Sequence, residues 1–390
     1  MHAEIAELLL SLFVIIITAK LFGELAQRLG QSPVVGELLG GIIIGASVLG
    51  LVRETEILHD LAQLGAILLL FEVGVSSNLF DFLKVGIWAF LVAAAGVVLP
   101  FALGYLVCQF LGLDSIHSIF VGATLTATSV GITARVFSDL NRCHTKEAKI
   151  VLGAAVIDDV IGLVILAAVT KLVISGTVSL INIEYITAAA VLFLASSLAI
   201  GALLAPHLIR LLKTMQVRGM LIAVSFSFCM LLSFFADRIG LAPIVGAFAA
   251  GLILSVTESK THLEEQLKPV SDIFVPIFFV LMGSLVNIRL FNPFVAANQP
   301  VLAIAAALLM VAVAGKILSG YTVFQKGINK LVIGAGMVPR GEVGLIFAGI
   351  GLTKGIINAQ LFSSLVIVVM ATTFITPFLL KGLLKKSPAP

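Results

Sequence analysis

Charge is scarce in this sequence. Only 12% of its 390 residues are Asp, Glu, Lys or Arg, about half the share found in soluble domains. The charges sit in short patches between apolar runs of about 17–29 residues, a length that spans a bilayer. The strand-length alternation of a β-barrel is absent. Three cysteines, Cys108, Cys143 and Cys229, are too few and too widely spaced for a disulfide framework or a metal set, and they read as small core residues. There is no HExxH zinc motif and no GxSxG nucleophile motif. A net charge of +3, with the basic residues scattered, gives no sign of nucleic-acid binding. His2, Glu4 and Glu7 open the chain without a basic n-region, so no cleaved signal peptide is expected. No polar tail of domain size is expected either.

What is present is a series of apolar segments: 4–27, 33–51, 57–77, 84–111, 115–138, 144–173, 184–212, 216–237, 240–256, 266–288, 299–324, 327–353 and 358–384. They predict an all-α polytopic membrane protein of about thirteen transmembrane helices. An odd count puts the termini on opposite sides, and Lys and Arg set the orientation. One side holds fifteen: Arg28, Lys84, Arg142, Lys146, Lys149, Arg210, Lys213, Arg218, Lys260, Lys268, Lys326, Lys330, Lys381, Lys385 and Lys386. The other holds five: Arg53, Lys171, Arg238, Arg289 and Lys354. This asymmetry predicts an outer N-terminus and a cytoplasmic C-terminus.

The chain contains an internal echo. PVVGELLGGIII at 33–44 returns as PIVGAFAAGLIL at 243–254. Phe71-Glu72-Val73-Gly74 returns as Val280-Leu281-Met282-Gly283, and Ser129-Val130-Gly131-Ile132 as Glu342-Val343-Gly344-Leu345. Each pair is seven segments apart, an odd number, so the copies cross in opposite directions. Three matches in register predict inverted-topology repeats, at approximately 33–173 and 240–384, the arrangement of secondary transporters with a site at mid-membrane.

Two segments carry helix-breaking composition. TLTATSVGIT, 124–133, combines four threonines, a serine and a glycine, including Thr126, Thr128 and Ser129. Its repeat partner, GMVPRGEVG at 336–344, places Pro339 among glycines, with Arg340 and Glu342 beside it. Proline removes a backbone donor and clashes with the preceding turn. Irregular backbone at membrane depth persists only where protein or a water-filled cavity surrounds it. Two broken helices at related positions mark a transport site.

Asp158 and Asp159 lie midway along the sixth segment. Each costs about 2.5–3.5 kcal/mol on insertion scales, so the two together cost roughly 5–7 kcal/mol. Lys316, in AVAGKILSG of the eleventh segment, is a cation at similar depth, and Gly315 and Gly320 allow close approach of its helix. Neighbouring helical residues point about 100° apart. One aspartate can therefore pair with Lys316 while the other faces a cavity and takes a proton or a small hard cation such as sodium. Spacing alone leaves open which does which. Arg340 and Glu342 are expected to neutralise each other or the dipole ends of the half-helices. Glu37 and Glu72, also inside segments, are expected to line the access route or support the core. Histidines near segment ends, such as His117 and His262, read as solvated.

With these residues in hand, the sequence resembles the monovalent cation/proton antiporters, in particular the bacterial sodium/proton branch with an Asp-Asp motif. PVVGELLGGIIIG, TATSVGITAR, GAAVIDDVIGLVIL, LAPIVGAFAAG, Lys316 and MVPRGEVGLI carry the likeness in order across the chain. The resemblance implies that Asp159 carries ion and proton, so that Asp159 is the sodium ligand, and that Asp158 pairs with Lys316. It implies that Thr128 and Ser129 form one crossing segment, and Arg340 and Glu342 the other. It further implies a homodimer whose core moves against a dimerisation part. Relatives with Asn or Gln before the aspartate are assigned electroneutral or potassium-linked exchange. Potassium-efflux relatives also carry a nucleotide-binding domain, which is not expected here.

The expectation is therefore one transporter unit over 1–390. Its core covers approximately 57–173 and 266–353, its dimerisation part approximately 1–51 and 184–256, and 358–384 is unassigned. It would exchange sodium, with lithium or potassium as other cargo, for protons, electrogenically and by alternating access, in the inner or an internal energy-coupling membrane. No cofactor is expected beyond the transported ions. The rival readings are a potassium/proton antiporter and a cation channel lined by the same charges; the inverted repeat favours a carrier. An intramembrane aspartyl protease needs two carboxylates facing each other and sharing a proton, which adjacent positions on one helix do not provide.

Overall fold

The computed structural model describes residues 2–29, 31–52, 55–76, 79, 84, 86–175, 180–212, 215, 217–239 and 241–385. Among these the regular structure is helical, with no strand. Fifteen helices follow in order: α1 (His2–Arg28), α2 (Pro33–Ile44), α3 (Glu56–Ser76), α4 (Gly86–Phe110), α5 (Ser115–Thr124), α6 (Val130–Asp139), α7 (Lys146–Ser175), α8 (Leu180–Leu212), α9 (Met220–Arg238), α10 (Pro243–Leu254), α11 (Lys260–Ser284), α12 (Gln299–Ser319), α13 (Lys330–Gly336), α14 (Glu342–Thr353) and α15 (Ala359–Lys385). Seven of them, α1, α3, α4, α9, α11, α12 and α15, are long and apolar enough to cross a membrane.

The second segment, expected to run to residue 51, is helical only to Ile44. Pro33 starts α2 at a position where its missing N–H costs nothing. Gly45 leaves the helix in an extended conformation. The chain then folds back, with the amides of Leu51 and Val52 bonded to the Ile44 carbonyl. Gly50, at φ +61°, makes the reversal possible. A 12-residue helix rises only about 18 Å, so α2 and its counterpart α10 are short for the hydrocarbon core.

Packing repeats the internal echo in three dimensions. A Cβ on Gly36 would collide with the Phe22 carbonyl of α1, and one on Gly246 with the Leu232 carbonyl of α9. Both members of the second pair lie 210 residues beyond the first. Gly41 of α2 meets α11 at Gly283, and Gly251 of α10 meets α3 at Gly74. The repeat exchanges these two contacts. Glycine here brings backbones together, which is how helices associate when lipid supplies no hydrophobic drive.

Two packing groups result. α1, α2, α3, α10 and α11 lie against one another, with α9 on α10. In the other group α4 packs on α5, α7 and α12, and α15 packs on α12 and α14. A second apolar cluster, including Phe120, Leu125, Leu308, Ala312 and Leu365, fills the latter group.

At the surface end of α5, Asp114 accepts the His117 amide at 2.9 Å and contacts the His117 ring nitrogen at 2.7 Å. The backbone bond first, then the ring, hold its carboxyl below the ordinary 3.8. The three cysteines are unbonded; Cys108 and Cys229 are buried and Cys143 half-buried.

Candidate ion-binding site

The two breaks come from local chemistry. α13 tightens at its end, with Met337 bonded to Gly334 and Val338 to Ala335, before Pro339 stops the ladder. In the partner segment the hydroxyls of Thr124 and Thr126 bond back to the carbonyls of Phe120 and Ala123, at 2.9 and 2.8 Å. Such back-bonding offers the backbone an alternative to the helix. α5 ends at Thr124, and α6 begins at Val130 after an extended Ser129. The Thr126 hydroxyl is thus engaged with its own helix.

The breaks are joined to each other. The Ser129 amide donates to the Pro339 carbonyl at 2.7 Å. The Thr133 hydroxyl donates to the Gly336 carbonyl at 2.7 Å. Gly341 lies so close to Ser129 that a Cβ would stand 2.5 Å from its Oγ. Of the two roles expected for Arg340, the helix-end one falls on described residues, and the pairing with Glu342 does not. Arg340 is fully buried and donates to Leu125 O, just past the C-terminal end of α5, from Nε at 3.0 Å and Nη2 at 2.6 Å. It also bonds Val338 O at 3.1 Å and Ala312 O at 3.3 Å. A guanidinium placed there answers orphan carbonyls and the negative end of the dipole together. Glu342 opens α14, and its side chain lies outside the described residues.

Lys316, 0% exposed, donates to the Thr128 hydroxyl at 2.7 Å. Its Nζ lies 3.4 and 3.5 Å from the two carboxylate oxygens of Asp158, itself 2% exposed. α4 packs against both α7 and α12, and Gly96 of α4 lies beside the ammonium: a Cβ there would stand 3.5 Å from Nζ, in ordinary van der Waals contact. Gly315 does permit close approach, but to Pro100 of α4, and Gly320 approaches α13. The sequence signals for Gly96 and for the Thr128 bond are weak, because both depend on α4 lying between the charged helices. Asp159, the next residue of α7, is half-buried and points about 100° away from Asp158 around the helix axis.

Glu37 and Glu72 lie apart from this centre. Glu37 is 3% exposed and pairs with Arg135 of α6 at 3.5 Å. Arg135 Nε also meets Asp139 at 3.0 Å, and the Ser32 hydroxyl donates to Asp139 at 2.5 Å. This cluster ties α2 to α6. Glu72 on α3 is half-buried and within electrostatic range of Arg135. Arg135 and Asp139 sit one turn apart on α6, but their ties to Glu37 and Ser32 were not legible, since those residues lie about 100 positions away in sequence.

The geometry has counterparts. The family model described as "Sodium/hydrogen exchanger, transmembrane" matches residues 11–386. The high-affinity Na(+)/H(+) antiporter NhaS3 of Synechocystis sp. is 41% identical, over 99% of this chain and 92% of that protein. The Na(+)/H(+)-K(+) antiporter GerN of Bacillus cereus is 36% identical, over 96% of each. The solved sodium proton antiporter MjNhaP1 of Methanocaldococcus jannaschii at pH 8 superposes with a TM-score of 0.69 at 18% identity, covering 98% of this chain and 99% of that one. At that identity the likeness is one of fold.

Proposed function

Since the chain belongs to the sodium/hydrogen exchanger transmembrane family, we propose that it exchanges sodium for protons at Asp159, with Asp158 and Lys316 as the fixed counter-charges beside it. The observation that carries this reading is the Lys316 ammonium, held by Thr128 and Asp158 next to two joined helix breaks. Asp159, the next residue on the same helix and turned about 100° from Asp158, is the carboxylate that takes the ion. Proton and sodium each neutralise it, and neither leaves room for the other's charge. Loading one expels the other, which couples the two fluxes without any enzymatic chemistry. The cargo is the only ion required; no cofactor enters the cycle.

Thirteen crossings with inverted halves follow if the short apolar helices and the two broken pairs count as spans. The Lys and Arg asymmetry then places the N-terminus outside and the C-terminus in the cytoplasm, in the inner or an internal energy-coupling membrane. Movement is a displacement of one packing group against the other, in a homodimer. On the packing, α3 and α11 go with the static group of α1, α2, α9 and α10, and α15 goes with the moving one. This differs from the sequence-based division, which put 57–77 and 266–288 in the core and left 358–384 unassigned. The Asp-Asp pair with its lysine supports electrogenic exchange, and pH homeostasis is the corresponding physiological role. Potassium is the second cargo, since one relative's name includes it.

The test is exchange in proteoliposomes at clamped potential, with sodium, lithium and potassium in turn. Asp159→Asn is expected to abolish exchange in a protein that elutes and melts as the wild type does. Wild-type exchange by that variant would end the assignment. Conduction at single-channel rates, without gradient coupling, would favour the channel.

A further inference from the structure

Away from the charged centre, α8 and α9 enclose an apolar groove of about 460 Å³. It follows one stripe of each helix. On α9 the lining residues run from Val224 through Phe228 and Leu232 to Arg238, with Ile239 just beyond, and on α8 from Ile209 back to Phe193. Along α9 this is about 21 Å, at 1.5 Å per residue. A polymethylene chain packs against such an apolar lining at about 4–4.5 Å. Among the described residues, the one charged group lining the groove is Arg238, exposed at the end of α9. Its guanidinium carbon stands 5.1 Å from the centroid of the Phe234 ring, and Asp237 precedes it in the chain.

We propose that this groove is a binding site for an anionic phospholipid, with one acyl chain along the α8–α9 seam and the phosphate on Arg238. In a bilayer an apolar groove beside the lipid phase fills with a tail. The guanidinium selects the headgroup, because its planar fork matches phosphate oxygens. Arg238 also complements the negative end of α9, but that role makes no use of the groove beneath it.

The test uses the purified full chain, carried through stepwise delipidation and weighed by native mass spectrometry, with phosphatidylglycerol or phosphatidylcholine of identical tails added. One phosphatidylglycerol is expected to remain per chain, preferred about tenfold over phosphatidylcholine, the weight of one charge-assisted hydrogen bond. Arg238→Gln is expected to lose the preference and keep the chain-filled groove. Ser197→Phe, which fills the groove, is expected to lose retained lipid of either kind. Equal retention of the two lipids by the wild type overturns the proposal, as does retention unchanged in Ser197→Phe. So does a change of oligomeric state in Ser197→Phe with lipid retention unaltered, which assigns the groove to a second copy. Should Ser197→Phe fail to fold, the wild type and Arg238→Gln still decide through the phosphatidylglycerol preference.

Discussion

Arg340 holds the carbonyl of Leu125, 215 residues earlier in the chain, with two nitrogens at once. The contact closes the end of α5 with a side chain from the other half of the molecule. Lysine cannot reproduce it, since an ammonium lacks the planar fork. Arg340→Lys is expected to leave at least one buried carbonyl unanswered, at about 1–3 kcal/mol. Arg340→Met is expected to cost more. Melting in detergent checks both, and a melting temperature unchanged in Arg340→Met would refute the capping role.

Removing Lys316 strands the Asp158 carboxylate. Lys316→Met is expected to destabilise by about 3–5 kcal/mol, the usual cost of breaking a buried pair. Thr128→Val removes the shorter of the lysine's contacts and is expected to cost about 1–3 kcal/mol. The double variant Lys316→Met with Asp158→Asn is expected to be more stable than Lys316→Met alone. Additive losses across that cycle would argue that the two groups do not interact.

The exchanged glycine contacts predict matched damage. Gly41→Ala and Gly251→Ala each push a Cβ into a carbonyl of a facing helix. Both are expected to lose about 1–3 kcal/mol or more through overpacking. Gly382→Ala, with open space around it, is expected to be neutral or to gain up to about 1 kcal/mol in helix propensity. Expression and melting of the three variants provide the measurement; tolerance at Gly41 with collapse at Gly251 would break the symmetry argument.

Asp114 supplies a pH-dependent prediction. Its native value is lowered, so its contribution is present above the unfolded value near 3.8 and disappears as pH falls through the lowered native value. Asp114→Ala is expected to melt below the wild type at neutral pH, with the gap closing in acid. A gap that widens on acidification would reverse the sign and exclude the cap as its source.

Much of this architecture can be read from residues alone. Pro339 and the threonines of 124–133 mark the breaks because each disturbs its own helix, a local effect. The echo of 33–44 in 243–254 survives because close backbone contact tolerates only glycine at Gly36 and Gly246. Adjacent aspartates signal a site because hydrocarbon penalises them. What escapes is whatever depends on a third element. The approach of Gly96 to the Lys316 ammonium exists only because α4 packs on both α7 and α12. The pairing of Glu37 with Arg135 depends on α2 reaching α6. The early end of α2 rests on a fold-back whose apolar sequence, 45–52, looks like more helix.

The amide of Ser129 and the carbonyl of Pro339 belong to opposite copies of the sequence echo, and each satisfies the other. Cut the chain between the copies, and each fragment carries a bare backbone dipole into oil. Severed pieces made together would therefore be drawn back to each other, since neither alone answers its own break.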